Sequence, residues 1–204
     1  MPRPKQRTPE LRDRVLHAAL AVLAEEGVGG LTTRAVAQRA DTSVPAIYEL
    51  FGDKAGLVRE VFVEGFRRLA SCIAELSVTD DPRGDLVRLL AAYRRFVRDN
   101  PRLADVMFSK PFADVGPGPD GVAAGIASRD GFVDAVRRAV DAGVVAGDPV
   151  DVAHVLLAMA QGLVSQEAAG WLGRSPASIE RRWALAVDVA LDGLRPAPRA
   201  SSAR

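Results

Sequence analysis

Leu11, Val15, Ala18 and Val22 follow one another at steps of four, three and four, the repeat of one buried face of an α-helix. That stripe predicts a first helix, ended by Gly27. Leu57, Val61, Gly65, Leu69, Ile73 and Leu76 carry the same period through a long helix that begins at Lys54, and Phe62, Phe66 and Ala70 broaden its apolar face. Leu86, Leu89, Leu90, Tyr93, Phe96 and Val97 make another. Further helices are expected over residues 101–109, 129–142, 149–171 and 176–194. Between the first and the long helix, the spacing leaves room for two short ones, over 33–40 and 44–50. Nine helices are expected in all.

Their starts are written plainly. Thr8-Pro9, Asp81-Pro82, Asn100-Pro101, Asp148-Pro149 and Ser175-Pro176 each place a good capping side chain before a proline in the first helical turn. No sustained alternation of polar and apolar residues with hairpin turns appears, so strands are not expected. The Gly/Pro-rich stretch 110–125 reads as a loop, and residues 1–7 and 196–204 as disordered tails. The fold expected is all-α, with a small three-helix domain over 8–56 and a larger helical bundle over 57–195.

Composition narrows the function. With 204 residues, 48% hydrophobic and 26% charged, the chain can bury a substantial core. A single Cys72 excludes an internal disulfide, and with two histidines it is too little for the usual zinc clusters. No metal or other cofactor is expected. The apolar run 15–24 is flanked by charges and lacks a cleavage pattern, and the run 152–166 is too short and polar to span a bilayer. A cytoplasmic protein without membrane contact is the expectation. No Gly-rich phosphate loop, HExxH or G-x-S-x-G motif is present, which argues against an enzyme. Net charge is only +1. Yet Arg3, Lys5, Arg7, Arg12 and Arg14 crowd the start against Glu10 and Asp13 alone, a basic arm that either tracks phosphates or is simply solvated.

The stretch LTTRAVAQRADTSVPAIYELFGDKAGL, residues 31–57, carries most of the chemistry. Its two helices are too short to be stable alone. Val36, Ile47 and Phe51 are placed to pack against Val15, Ala19 and Leu23, while Ser43, Val44, Ala46 and Tyr48 face outward. Such a pair is either a helical corner inside a bundle or a helix-turn-helix, whose second helix enters the major groove of DNA.

Thr32-Thr33, Ala37, Ala40, Ser43, Ile47-Tyr48, Phe51, Lys54 and Leu57 resemble the DNA-binding segment of the TetR family of bacterial regulators, and RVLHAALAVLAEEG (14–27) resembles its first helix. The resemblance is detailed over residues 8–62 and architectural beyond. LADVMFSKPF (103–112) and GLVSQEAAGWLG (162–173) are similar to one subtype of its C-terminal domain. It implies a sequence-specific DNA-binding regulator, most often a repressor, released from a palindromic operator by a small-molecule effector. A helical ligand-binding or scaffold protein without DNA binding is the alternative. Thr33, Tyr48 and Lys54 are implied as phosphate contacts, with Thr32 beside them in the DNA-binding set. Arg34 either reads guanine or touches backbone only, and Ser43, Val44, Pro45 and Ala46 would lie against base edges. The chain departs from the family pattern at Leu50, where an aromatic or His is usual, and at Asp41, where Gly is common.

The resemblance also implies a homodimer through the last two helices, using Val152, Leu156 and Leu163 from one and Ile179, Trp183, Ala186, Ala190 and Leu194 from the other. Tyr93, Phe96, Met107, Phe108, Phe112, His154, Met159 and Gln166 are candidates to line an effector pocket, or are plain core.

Overall fold

The computed structural model describes residues 8–108 and 116–197. Among them every regular element is helical: α1 (Pro9–Gly30), α2 (Thr33–Arg39), α3 (Val44–Phe51), α4 (Lys54–Ala74), α5 (Pro82–Asp99), α6 (Pro101–Phe108), α7 (Gly118–Asp141), α8 (Pro149–Ala168) and α9 (Pro176–Gly193). The expected all-helical order of nine elements is what forms.

Each capped proline opens a helix, and the reason is local. The Thr8 side chain accepts from the Leu11 amide, Asp81 from Gly84, Asp148 from Val150 and Asp151, and Ser175 from Ser178. Ser178 returns the bond to the Ser175 amide, closing a capping box. Each bond satisfies an amide that the first turn leaves without an intrahelical partner.

Two boundaries differ from expectation. Gly27 does break α1, with φ +72° and ψ −169°, but a further turn follows it to Gly30. The larger difference is α7, which starts at Gly118 rather than near residue 129. Pro119 falls in its first turn, where no hydrogen bond is lost. A Cβ at Gly121 would stand 3.2 Å from the Phe62 ring, so this glycine serves close packing rather than a turn. Propensity sees only the glycine and reads a loop.

The residues group into two compact units, one of 8–69 with 99–127 and one of 70–98 with 128–197. In the first, α1 packs on both α2 and α6. Val15, Ala19, Leu23, Val36, Ile47 and Phe51 are all buried there, as the spacing predicted. Arg39 forks onto Glu25, tying α2 to α1. At Gly65 the bare backbone admits Met107, whose Sδ lies 2.6 Å from where a Cβ would be.

In the second unit α8 packs on α9. Leu86, Leu90, Phe132, Val136, Ala139, Leu156 and Leu191 form its interior, with Tyr93 edge-on to Phe132 at 6.1 Å. Arg94 is also inside. It donates to Glu167 at 2.7 and 3.0 Å and to Glu180 at 2.8 and 2.9 Å, and stacks on Trp183 with 4.7 Å to the ring centroid. Paired on both edges and covered by an aromatic face, the guanidinium is held charged, its pKa raised first by the Glu167 bonds.

Among the described residues no helix is long and apolar enough to cross a membrane.

Candidate nucleic-acid interface

Three helix starts converge in sequence between residues 32 and 57, and each is prepared by the residue before it. Thr32 caps α2 by accepting from the Ala35 amide at 3.1 Å, and Ser43 caps α3 by accepting from Ala46 at 3.3 Å. Asp53 accepts from the Gly56 amide at 2.6 Å and so caps α4. The α2–α3 turn passes through Asp41 at φ +49°, a left-handed conformation that a Cβ disfavours. The family's usual glycine would sit there without strain, so this departure has a backbone meaning. The α3–α4 corner is tighter. Gly52 takes φ +81°, and a Cβ at Gly56 would fall 1.8 Å from the carbonyl oxygen of Phe51.

The far ends of the two short helices are held by α1. Arg14 Nε donates to the Ala40 carbonyl at the end of α2, 3.0 Å away. Arg12 donates to the Leu50 carbonyl near the end of α3, also at 3.0 Å, while its guanidinium lies 4.7 Å over the Phe51 ring and pairs with Glu60 of α4. Cations at helix C-termini complement the negative end of the dipole. Both arginines belong to the basic arm of the sequence. Here they are engaged with protein carbonyls, a positioning role that charge counting does not reveal. Arg3, Lys5 and Arg7 lie outside the described residues.

With the inner face of α3 occupied by Ile47 and Phe51, the opposite face is open. Thr32, Arg34, Ser43, Pro45, Tyr48 and Lys54 are exposed, and Thr33, Val44 and Ala46 half-buried. The Thr33 and Tyr48 hydroxyls lie 3.4 Å apart, which brings the start of α2 beside the outer face of α3. The first turns of α2, α3 and α4 contain no acidic residue, and two of them contain a cation, Arg34 and Lys54. Among the described residues neither cation has a carboxylate partner. Exposed helix N-termini with added positive charge suit phosphate groups. No group of His, Cys, Asp and Glu among the described residues could hold a metal.

The remaining candidates are dispersed. Met107 is buried in the first unit, and Phe108 is half-buried there, edge-on to Phe66 at 5.7 Å, with Phe62 4.8 Å beyond. Tyr93 and Phe96 are buried in the second unit, and burial pushes the Tyr93 phenol up to about 12. Met159 is half-buried, whereas His154 and Gln166 are exposed, the His154 ring resting on the Val150 carbonyl at 2.8 Å. Phe112 lies outside the described residues.

Of the residues expected to meet a second copy, Val152, Leu156 and Trp183 are instead buried in the protomer's own interior. Leu163, Ile179, Ala186, Ala190 and Leu194 are half-buried. Periodicity reports that a stripe is covered, not what covers it. The large apolar residues exposed on the same two helices are Val150, Val155, Leu185 and Val189, with Trp171 standing 77% exposed in the connection between them. A signal for two of them was present, because Leu185 and Val189, four residues apart on α9, make a second apolar file beside the buried one.

Comparison with known proteins agrees with this architecture. Residues 15–61 match the model for bacterial regulatory proteins of the tetR family, and residues 86–190 match the tetracyclin repressor-like C-terminal domain. The second match alone spans just over half of the chain, and the protein belongs to the TetR family. A protein of unknown function from Rhodococcus sp. RHA1 is similar over 96% of this chain and 100% of its own, at 28% identity and a TM-score of 0.81. The TetR-family transcriptional regulator PfmR from Thermus thermophilus shares the fold over 90% of this chain and 100% of its own, at 22% identity and a TM-score of 0.65. A bacterial regulatory protein of the same family from Rhodococcus RHA1 does so over 94% and 100%, at 20% identity and a TM-score of 0.67. No curated protein matches. The chain is a DNA-binding transcriptional regulator with an N-terminal helix-turn-helix, in a family of regulators rather than enzymes.

Proposed function

We propose that this regulator works as a homodimeric repressor, leaving a palindromic operator when a small molecule binds its C-terminal region. The observation that carries the DNA-facing part is the set of helix starts without an acid in the first turn at Thr33-Arg34, Ser43-Val44 and Lys54, two of which bear a cation. In this reading Thr32, Thr33, Tyr48 and Lys54 hold phosphates and fix register, and Arg34 reaches a base edge or a phosphate. Ser43, Val44, Pro45 and Ala46 face the bases. Three of those four lack a hydrogen-bonding side chain, so contact with thymine methyl groups dominates the readout.

Dimerisation through α8 and α9 is supported by their exposed apolar residues Val155, Leu185 and Val189, which water would otherwise cover. A symmetric pair also places two recognition helices on two half-sites. An effector that binds better to one spacing of the two heads shifts the population toward it, and only that difference in affinity moves the equilibrium. Residues 86–190, the match to the tetracyclin repressor-like domain, are where such an effector is taken up.

The test is a titration of the protein into DNA from upstream of its own coding region, at two salt concentrations, with an unrelated duplex as control. Binding that exceeds the control by about a thousandfold and weakens steeply with salt supports the reading. Equal and salt-insensitive binding to both duplexes defeats it.

A further inference from the structure

A trough of about 500 Å³ runs between α5 and α9 on the outside of the second unit. Its apolar lining is Val87 and Ala91 from α5 with Trp183, Ala184 and Val187 from α9. Long arginine side chains bridge it at two points. Arg83 reaches Asp188 and Asp192, both at 3.1 Å, and Arg94 reaches Glu180. Arg95 and Arg98 complete the lining. Both are exposed, and Arg95 has no acidic partner among the described residues. The lining therefore holds four guanidinium groups against the carboxylates of Glu180 and Asp188.

The two carboxylates on Arg94 are not equivalent. Glu167 keeps only 13% of its side chain exposed and is shared with Arg98, whereas Glu180 keeps 61% exposed. Glu180 is thus a carboxylate at the mouth of the trough, resting on a guanidinium whose other edge is already satisfied. Its departure into water costs little desolvation. A second carboxylate with an apolar body can take the same fork on Arg94 and gain burial that Glu180 does not.

We propose that this trough is a binding site for an amphiphilic organic carboxylate, whose acid group takes the place of Glu180 on Arg94 and whose apolar body lies on Val87, Ala91, Trp183 and Val187. The volume falls in the range of small-molecule sites. Arg95, the lining arginine without an acidic partner among the described residues, supplies the positive charge that draws the anion in and selects it over a neutral molecule of the same length. The site is separate from the α8–α9 face invoked for dimerisation, because Ala184 and Leu185 point roughly 100° apart around α9.

Decanoate, held below its micelle concentration, is the probe, with decanol as the neutral control. The full chain carrying Trp171→Phe retains Trp183 as its sole tryptophan, so fluorescence reports from the trough itself. Saturable quenching or a spectral shift of Trp183 by decanoate, at least tenfold tighter than by decanol, is expected. Arg95→Glu, at an exposed position without an acidic partner among the described residues, should weaken decanoate tenfold or more without lowering the melting temperature. Glu180→Gln should tighten it severalfold, since the amide competes less well for Arg94. Decanoate binding that ignores both substitutions, or a decanol response of equal strength, overturns the proposal and moves the ligand elsewhere. If Ala184→Trp changes the oligomeric state while decanoate does not bind, the trough is an interface between copies instead, and the proposal also fails.

Discussion

Helix starts on the DNA-reading side of this protein differ from those in the rest of the chain. In α5, α7 and α8 the first turn carries an acid, Asp85, Asp120 and Asp151, which answers the positive end of the helix dipole. In α2, α3 and α4 it carries none, and Arg34 and Lys54 add charge of the wrong sign for stability. Two other starts sharpen the contrast. In α9 a neutral capping box stands in for the acid, and in α6 Arg102 finds Asp105 at 4.0 Å. A local rule broken at α2 and α3, met at α4 only by the cap Asp53, and kept or compensated elsewhere, marks where stability is given up for a partner. The partner that restores it is an anion.

Four changes break or sharpen that contrast, beginning with the largest. Gly56→Ala puts a methyl group against the Phe51 carbonyl, which backbone cannot yield cheaply. A loss of about 3 kcal/mol is expected, at the upper end for overpacking. It should be confined to the head, appearing in hydrogen exchange as early opening of α3 and the start of α4 while α8 and α9 stay protected. Lys54→Glu makes the head resemble the body. Operator affinity should fall at least tenfold, and the salt slope should shrink by about 0.9 for each phosphate no longer neutralised. The melting temperature should hold or rise, since an acid in the first turn is worth about 0.3–1 kcal/mol. A variant that loses affinity and stability together would show that Lys54 is merely structural.

Asp85→Asn tests the body's side of the contrast. The Asp85 carboxyl is held below its ordinary range, first by the Thr79 amide and then by the Thr79 hydroxyl and Arg88. A depressed carboxyl contributes stability above its unfolded pKa of about 3.9 and loses it as pH falls through the lower folded value. The substitution should therefore cost about 1–2 kcal/mol at pH 7 and progressively less as the pH falls through the folded value, flattening the acid side of the urea-denaturation profile. The smallest effect belongs to Asp41→Gly. Relieving a left-handed aspartate should add about 0.5–1 kcal/mol, and removing its charge should tighten operator binding slightly. Unchanged stability would mean that Asp41 tolerates φ +49° without strain.

Much of this was readable in advance, for local reasons. A capping side chain followed by proline acts within four residues, so the starts of α1, α5, α6, α8 and α9 followed from the sequence alone. The helix-turn-helix was readable too, because its inner residues Val36, Ile47 and Phe51 keep helical spacing and its caps precede them. A glycine misled where its reason was distant. Gly121 makes room for Phe62, so it does not mark a loop.

Sequence by itself determined the helical class, the order of the elements and the open outer face of α2 and α3, since each depends on neighbours within a turn or two. Tertiary structure decided what the charges do. Arg12 and Arg14 look like a phosphate-seeking arm until the ends of α3 and α2 arrive beside them. Arg94, one of several arginines in a row, becomes the buried partner of Glu167 only when residues 73 positions apart meet. It also decided which apolar file of α8 and α9 is covered, burying Val152, Leu156 and Trp183 and leaving Val155, Leu185 and Val189 to water. Periodicity records that a side chain avoids water, and only the packed chain says what replaces the water.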